Sequence, residues 1–233
     1  MREHISMQYD QELATIRAHL VEMAGTVERQ LEDVSRALLQ HDPEPADTVI
    51  AADAEVNRLE VVIDDLCSHI IVRRQPTASD LRFILVSLKA ITDLERIGDE
   101  CTRIAKMVID LAGRAPLREH FSEFDAMTNA VSGMLRDALH ALSRVDTQTA
   151  ADVIGRDKGV DQSYKAVMAR LIPKMEQDPS AVRSLLALVW AARSLERIGD
   201  HAKNIAEYVI YLDHGQDIRH QPLAVKQREA SGD

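Results

Sequence analysis

The hexapeptide Leu94-Glu95-Arg96-Ile97-Gly98-Asp99 returns unchanged as Leu195-Glu196-Arg197-Ile198-Gly199-Asp200, at an offset of 101 residues. That interval is too wide for one helix and suits one small domain in each half of the 233-residue chain. Ser79 and Ser180, Arg82 and Arg183, Leu85 and Leu186, Ile104 and Ile205, and Ala105 and Ala206 agree in the same register. Further upstream the offset becomes 104: Leu20, Met23, Val27, Leu31, Ala37, Leu38 and Asp42 correspond to Phe124, Met127, Val131, Leu135, Ala141, Leu142 and Asp146. Asp53, Val56 and Asn57 correspond to Asp157, Val160 and Asp161 in that register. The chain is an internal duplication, with a shorter loop in its second half around Gln177-Asp178-Pro179-Ser180. Any fold for one half must also serve the other.

The periodicity in each half is helical. Ile16, Leu20, Met23, Val27, Leu31, Val34 and Leu38 step by three and four, and His41-Asp42-Pro43 ends the run because a residue before proline avoids the α region. The same reading predicts helices over 7–40, 44–74, 79–111, 117–145, 147–176 and 179–213, with Thr77 or Ser79 as an N-cap. Aromatic residues make up only 3% of the chain, too few for the aromatic and β-branched strands of a sandwich or barrel. Three long helices with short connections are antiparallel neighbours. The expected fold is therefore all-α: six long helices forming two tandem, pseudo-symmetric three-helix bundles. Gly113-Arg114-Ala115-Pro116 sets the boundary, giving bundles over 1–113 and 114–213 and a polar tail over 214–233.

Charge and composition exclude several classes. The formal charge is −10 and there is no basic stripe, which argues against direct nucleic-acid binding and suits cations or basic partner surfaces. The longest apolar run, Leu185 to Ala192, is too short to span a bilayer, although docking on a membrane complex stays open. The opening Met-Arg-Glu-His does not read as a signal peptide. Cys67 and Cys101 read as small buried hydrophobes of a reducing, cytoplasmic compartment. Trp190 sits in the apolar run and is expected in the core, and His69 and His201 are expected at the surface or satisfied by neighbours. No phosphate-binding loop, dinucleotide fingerprint or nucleophile–base pair is present, so no enzyme is expected.

The repeated motif carries the chemistry. Glu-x-x-x-Asp places two carboxylates about 40° apart around a helix and roughly 6 Å along it, so both leave one face. With Leu88 as origin, Glu95 and Asp99 fall within about 20°, while Ile97, Cys101, Ile104 and Val108 lie roughly opposite. The pair therefore reads as facing a groove or open surface without a burial cost. On the preceding helix Asp53, Asn57, Glu60 and Asp64 share one face, so Asp53 and Asn57 are set to oppose Glu95 and Asp99. In the second half Asp157 and Asp161 oppose Glu196 and Asp200, and Glu207 extends the stripe; Lys106 and Met168 stand at the positions matching Glu207 and Asp64. Such oxygen-rich faces suit Mg²⁺, Mn²⁺, Fe or Zn²⁺ ions. Arg96 and Arg197, or plain solvation, are the competing explanation for the repeated acids. Close helix packing is the simpler reason for Gly98 and Gly199, room beside the carboxylates the functional one.

The doubled Glu-Arg-Ile-Gly-Asp, the segment from Arg73 through Arg82, the Asn204-Ile205-Ala206-Glu207 stretch and the closing Gly215-Gln216-Asp217-Ile218-Arg219-His220 together resemble the PhoU family of bacterial phosphate-signalling regulators, from His4 to His220. The resemblance implies tandem three-helix bundles, a homodimer, and E(D)xxxD motifs that bind metal clusters in some members. Carried over, those motifs are Glu95/Asp99, Glu196/Asp200 and Asp157/Asp161, with Asp53/Asn57 as a degenerate fourth. It also implies a negative regulator of the phosphate regulon. Its partners would be the ATPase subunit of the high-affinity phosphate transporter and the membrane sensor histidine kinase. A carboxylate-bridged metalloenzyme or metal store, and a metal-free helical binding module, are the alternatives.

Overall fold

The computed structural model describes residues 2–40, 42–113 and 122–215, together with Gln221. Six helices run in order: α1 (Arg2–Gln40), α2 (Glu44–Arg74), α3 (Ala78–Ala112), α4 (Ser122–Arg144), α5 (Thr147–Gln177) and α6 (Val182–His214). The described residues contain no strand. The expected start of the fourth helix at 117, the 114 boundary and most of the 214–233 tail lie outside the described residues. The sixth helix begins three residues later than the periodicity suggests. Asp178 Oδ1 accepts both the Ser180 backbone N–H (3.0 Å) and its hydroxyl (2.6 Å), closing a local turn that postpones the helix to Val182. At the start of α5 an aspartate caps in the ordinary way, Asp146 accepting the Thr149 N–H at 3.0 Å. Thr77 occupies the N-cap of α3 with extended backbone, but its side chain makes no capping bond.

Helices α1, α2 and α3 all pack against one another, as do α4, α5 and α6, giving a three-helix bundle in each half. The halves join chiefly along α3 and α6, with a smaller contact between α1 and α4. One hydrophobic core runs through both, from Met23 and Leu31 through Leu94 and Ile97 to Met134 and Leu135. Each such side chain contributes roughly 1.5–3 kcal/mol by leaving water. Cys67 and Cys101 are free and buried, and burial pushes the Cys67 thiol up to about 12 and raises Cys101 as well. They serve as core residues.

Trp190 departs from expectation: it is 56% exposed. Within the apolar run, Leu185, Leu188, Ala191 and Ala192 turn inward, whereas Leu186 and Trp190 project outward with Val182. An uninterrupted apolar run hides the period that would have separated the two faces.

The α3–α6 seam is polar where the duplication would lead one to expect symmetry. Asp93, 6% exposed, accepts from Tyr208 Oη (2.7 Å) and Asn204 Nδ2 (3.1 Å) and lies 2.6 Å from His201 Nδ1. Glu100, 2% exposed, accepts from Ser194 Oγ (2.8 Å) and Arg103 Nη1 (2.6 Å) and forms an ion pair with Arg197 Nη1 at 2.7 Å. Ser194 matches Asp93 and His201 matches Glu100 at the 101-residue offset, so these are the same contact seen from its two sides. His201 is thus a satisfied group, as expected. At the end of α6, Gly215 adopts φ 76° and donates its N–H to Tyr211 O at 2.9 Å. The left-handed cap favours glycine; a Cβ there would lie 3.0 Å from Arg82 Nη1, the movable end of a long side chain.

Candidate metal sites on the two carboxylate faces

The two faces lie in the α2–α3 and α5–α6 grooves. In the first, Glu95 and Asp99 are half-buried and close enough to Asp53 and Glu60 for their charges to act on one another. Burial first, then Asp99 and Glu60, raise the Glu95 carboxyl above its ordinary value. Burial and then Asp99 do the same to Asp53, and burial and then Asp64 to Glu60. The reading of Glu95 as free of burial cost is therefore corrected: its aliphatic stem and carboxylate sit in a groove walled by α2. Arg96 offers Glu95 only a loose pair at 3.7 Å and is itself 54% exposed in its side chain, so it neutralises little.

Asn57 is exposed and donates its amide to Asp53 Oδ2 at 3.2 Å. Asp53 Oδ1 is buried and has no hydrogen-bond partner. The Thr102 hydroxyl is close enough to favour the ionised form of Asp53, yet it makes no bond of proper geometry. The approach is loose.

The second face gathers Asp157, Asp161, Glu196 and Asp200. Burial and then Asp200 raise Glu196; burial and then Asp157 raise Asp200. Glu196 Oε1 accepts from Arg193 at 2.6 Å, while its Oε2 is buried and unpartnered. Arg197, which the sequence offered as a neutralising neighbour, turns instead across the seam to Glu100. A lysine takes its place. Lys203 Nζ bonds Asp157 Oδ2 at 2.7 Å; burial opposes its charge, but that hydrogen bond and the charges of Asp157, Asp200 and Glu207 raise its pKa overall. Glu207 does continue the stripe toward Lys203, but it is 3% exposed rather than a surface ligand.

The donor set fits a hard cation in kind. Carboxylates lifted by burial and mutual repulsion, with an orphaned buried oxygen on Asp53 and on Glu196, are only partly balanced. Lys203 and Arg193 do so in the second groove; the described residues of the first hold no pair closer than the loose Arg96 contact. Among the described residues no three His, Cys, Asp or Glu side chains are grouped to hold one ion as they stand. Ligation of a metal by Glu95, Asp99 and Asp53, or by Glu196, Asp200, Asp157 and Asp161, requires their carboxylates to draw closer together. Gln30, Thr102 and Lys203, which the sequence reading did not single out, flank the two aspartates from α1, α3 and α6. The signal for Lys203 and Thr102 was their shared register position one turn after the repeated glycine.

The PhoU domain family matches residues 20–108 and again 124–209. The chain is 43% identical over 232 residues to a phosphate-specific transport system accessory protein PhoU homolog of Pseudomonas putida, covering 100% of this chain and 91% of that one. It is 39% identical over 222 residues to the phosphate-specific transport system accessory protein PhoU of Escherichia coli, covering 94% of this chain and 91% of the relative. The crystal structure of PhoU from Pseudomonas aeruginosa superposes with a TM-score of 0.87 at 42% identity, over 89% of this chain and 100% of that one. With both halves matched and the fold shared along nearly its whole length, this chain belongs to the PhoU family.

Proposed function

We propose that this chain is a negative regulator of the phosphate regulon and of phosphate uptake, acting as a cytoplasmic adaptor. One partner is the ATPase subunit of the high-affinity phosphate transporter; the other is the sensor histidine kinase, held inactive while phosphate is plentiful. The observation that carries this reading is full-length membership of a family whose relatives are named phosphate-specific transport system accessory proteins. The absence of any helix, among the described residues, long and apolar enough to cross a membrane accords with an adaptor that docks on membrane complexes. It acts as a homodimer without catalysing a reaction, and the Glu95/Asp99 and Glu196/Asp200 faces bind divalent or transition-metal ions that shape a docking surface. The unpartnered Asp53 and Glu196 oxygens support that assignment.

The test is a phosphate-regulated reporter in high phosphate, in wild type, a deletion strain and a Glu196→Ala/Asp200→Ala strain. Derepression in the deletion is expected, and in the double variant too, provided its soluble level is normal and its metal content falls. A reporter that stays silent in the deletion overturns the regulatory reading. Normal repression by a folded, metal-free double variant removes metal from the switch. Light scattering on the purified protein reads the dimer directly.

A further inference from the structure

We propose that the first bundle contains an interior site for a small hard cation, built from Gln30 Oε1, Asp53 Oδ1 and Thr102 Oγ1, at the place where the second bundle puts the Lys203 ammonium. The site shares Asp53 with the carboxylate face described above. It goes beyond that face by using neutral oxygens from α1 and α3, and it does not depend on Glu95 or Asp99.

Three buried side-chain oxygens, one from each helix of the bundle, are without hydrogen-bond partners here: Gln30 Oε1, Asp53 Oδ1 and Thr102 Oγ1. Gln30 is 2% exposed and Thr102 7%. The Gln30 amide is not free to turn over, because its Nε2 donates to Val49 O at 3.1 Å and so aims Oε1 inward. A Cβ on Gly98 would stand 3.3 Å from Gln30 Oε1 and 3.5 Å from Asp53 Oδ1, so both oxygens converge on α3 at that glycine. Thr102 lies one turn further along the same face. Two acceptors brought together in a buried place repel unless something positive or hydrogen-bearing lies between them.

The duplication names what belongs there. In the matching registers Asp53 becomes Asp157, Gly98 becomes Gly199, Gln30 becomes Met134 and Thr102 becomes Lys203. Where the second bundle has an ammonium bonded to its aspartate at 2.7 Å, it has also replaced the glutamine oxygen by a buried thioether. Where the first bundle lacks the ammonium, it has two neutral oxygens. The exchange is coherent if both arrangements surround one positive charge: covalently attached in the second bundle, taken from solution in the first. Lys106 does not fill the role, since it is exposed and its charge reaches Asp53 without an ion pair. A buried water, or the Thr102 hydroxyl turned onto Asp53, is the competing arrangement. The Asp53 carboxylate, which holds a single amide bond from exposed Asn57 and no ion pair among the described residues, and stands beside Asp99, favours the cation.

The test is thermal unfolding of the full, chelator-treated chain in Na⁺, K⁺, Mg²⁺ or Mn²⁺ chloride against tetramethylammonium chloride at matched ionic strength. At least one small cation is expected to raise the midpoint by about 3–5 °C for each tenfold increase above its dissociation constant. Glu95→Gln/Asp99→Asn/Glu196→Gln/Asp200→Asn, which strips both outer faces, should keep part of that response. In that background Gln30→Met/Thr102→Lys, which copies the second bundle, should lose what remains; alone it should melt higher than wild type in tetramethylammonium. Should that pair fail to fold, Thr102→Val decides the matter, since removing one ligand should raise the cation concentration required by roughly tenfold. Equal midpoints in all salts would mean that water or the Thr102 hydroxyl satisfies the site and would overturn the proposal. So would a response abolished by Glu95→Gln/Asp99→Asn but untouched by Thr102→Val, which would assign it to the outer face.

Discussion

The two bundles meet the same electrostatic problem and answer it differently. Both half-bury an aspartate on the middle helix, Asp53 or Asp157, against the Glu-x-x-x-Asp face of the helix that follows. The second half brings Lys203 to its aspartate and sets the buried Glu207 one turn further on; the first half has Thr102 and the exposed Lys106 at those positions. Thus the cation sits inside the second groove and at the rim of the first. Duplication has kept the acids and exchanged the neutralising groups. A pair of carboxylate faces that look alike in sequence therefore differ in how much each needs an ion from solution.

The largest effect expected from disturbing the duplicated plan is at the α3–α6 seam. Asp93→Ala deprives His201, Asn204 and Tyr208 of one shared, buried acceptor and is expected to cost about 3–5 kcal/mol. Ser194→Ala, the matching change on the other side, removes one hydrogen-bond donor to Glu100 while that from Arg103 and the ion pair with Arg197 remain, and should cost about 1 kcal/mol. Urea unfolding of both variants checks the ratio. Similar losses would show that the seam is energetically symmetric despite its chemistry.

Next comes Lys203→Thr, which gives the second groove the residue of the first. Lys203 and Asp157 retain 28% and 15% side-chain exposure, so the loss stops short of that for a fully buried pair. A cost of about 1–3 kcal/mol at neutral pH is expected without divalent ions. Millimolar Mg²⁺ or Mn²⁺ should restore more stability to this variant than to wild type. If the variant is as stable as wild type in chelator, the ammonium is not what balances the second face.

The fold was legible because its signals are repeated and periodic. The hexapeptide, the two offsets and the three-and-four spacing of Leu20, Met23, Val27 and Leu31 lead to six helices and two bundles. The carboxylate grooves were legible for the same reason, since Asp53 and Asn57 share a face with Glu60 and Asp64. The occupant of each groove was not. Gln30 approaches from α1, and no spacing along one helix reports what a third helix brings. The outward turn of Trp190 was hidden because Leu185 to Ala192 is apolar on every side. Asp93 and Glu100 look like ordinary surface acids until α6 covers them.

The pH dependence separates the faces from the rest of the surface. Asp53, Glu60, Glu95, Glu196 and Asp200 all have carboxyls raised in the folded state, burial being the first cause in each. A group raised on folding stabilises fully below its unfolded value, and that contribution is lost as pH climbs through the folded value. In chelator, stability from these groups should therefore fall as pH rises from the ordinary carboxylate range, 3.8 for Asp and 4.5 for Glu, toward neutrality. Glu12, lowered by its hydrogen bond from Arg74, acts in the opposite sense, so wild type is best compared with Glu95→Gln/Glu196→Gln. The variant should show a shallower decline, and Mg²⁺ should flatten that of wild type. A wild-type curve that rises with pH through this window, in parallel with the variant, would mean that the grooves are well solvated.

The smallest expected effect is the sharpest comparison. Alanine in place of a mid-helix glycine gains about 1 kcal/mol from helix propensity. At Gly199 the new Cβ meets Val160 Cγ1 at 3.3 Å and no polar atom, so the buried valine must give by a few tenths of an ångström. The two terms should nearly cancel. At Gly98 the Cβ meets Gln30 Oε1 at 3.3 Å and both Asp53 Oδ1 and Val56 Cγ1 at 3.5 Å. A methyl group there can offer no hydrogen bond to two unpartnered acceptors, and the Gln30 amide, anchored on Val49 O, cannot simply swing away. Gly98→Ala should therefore fall below Gly199→Ala by about 0.5–1 kcal/mol, with a weaker response to small cations. Equal stability with an unchanged cation response would show that the oxygens do not converge at Gly98, and the contrast between the two bundles would then reduce to Lys203 alone.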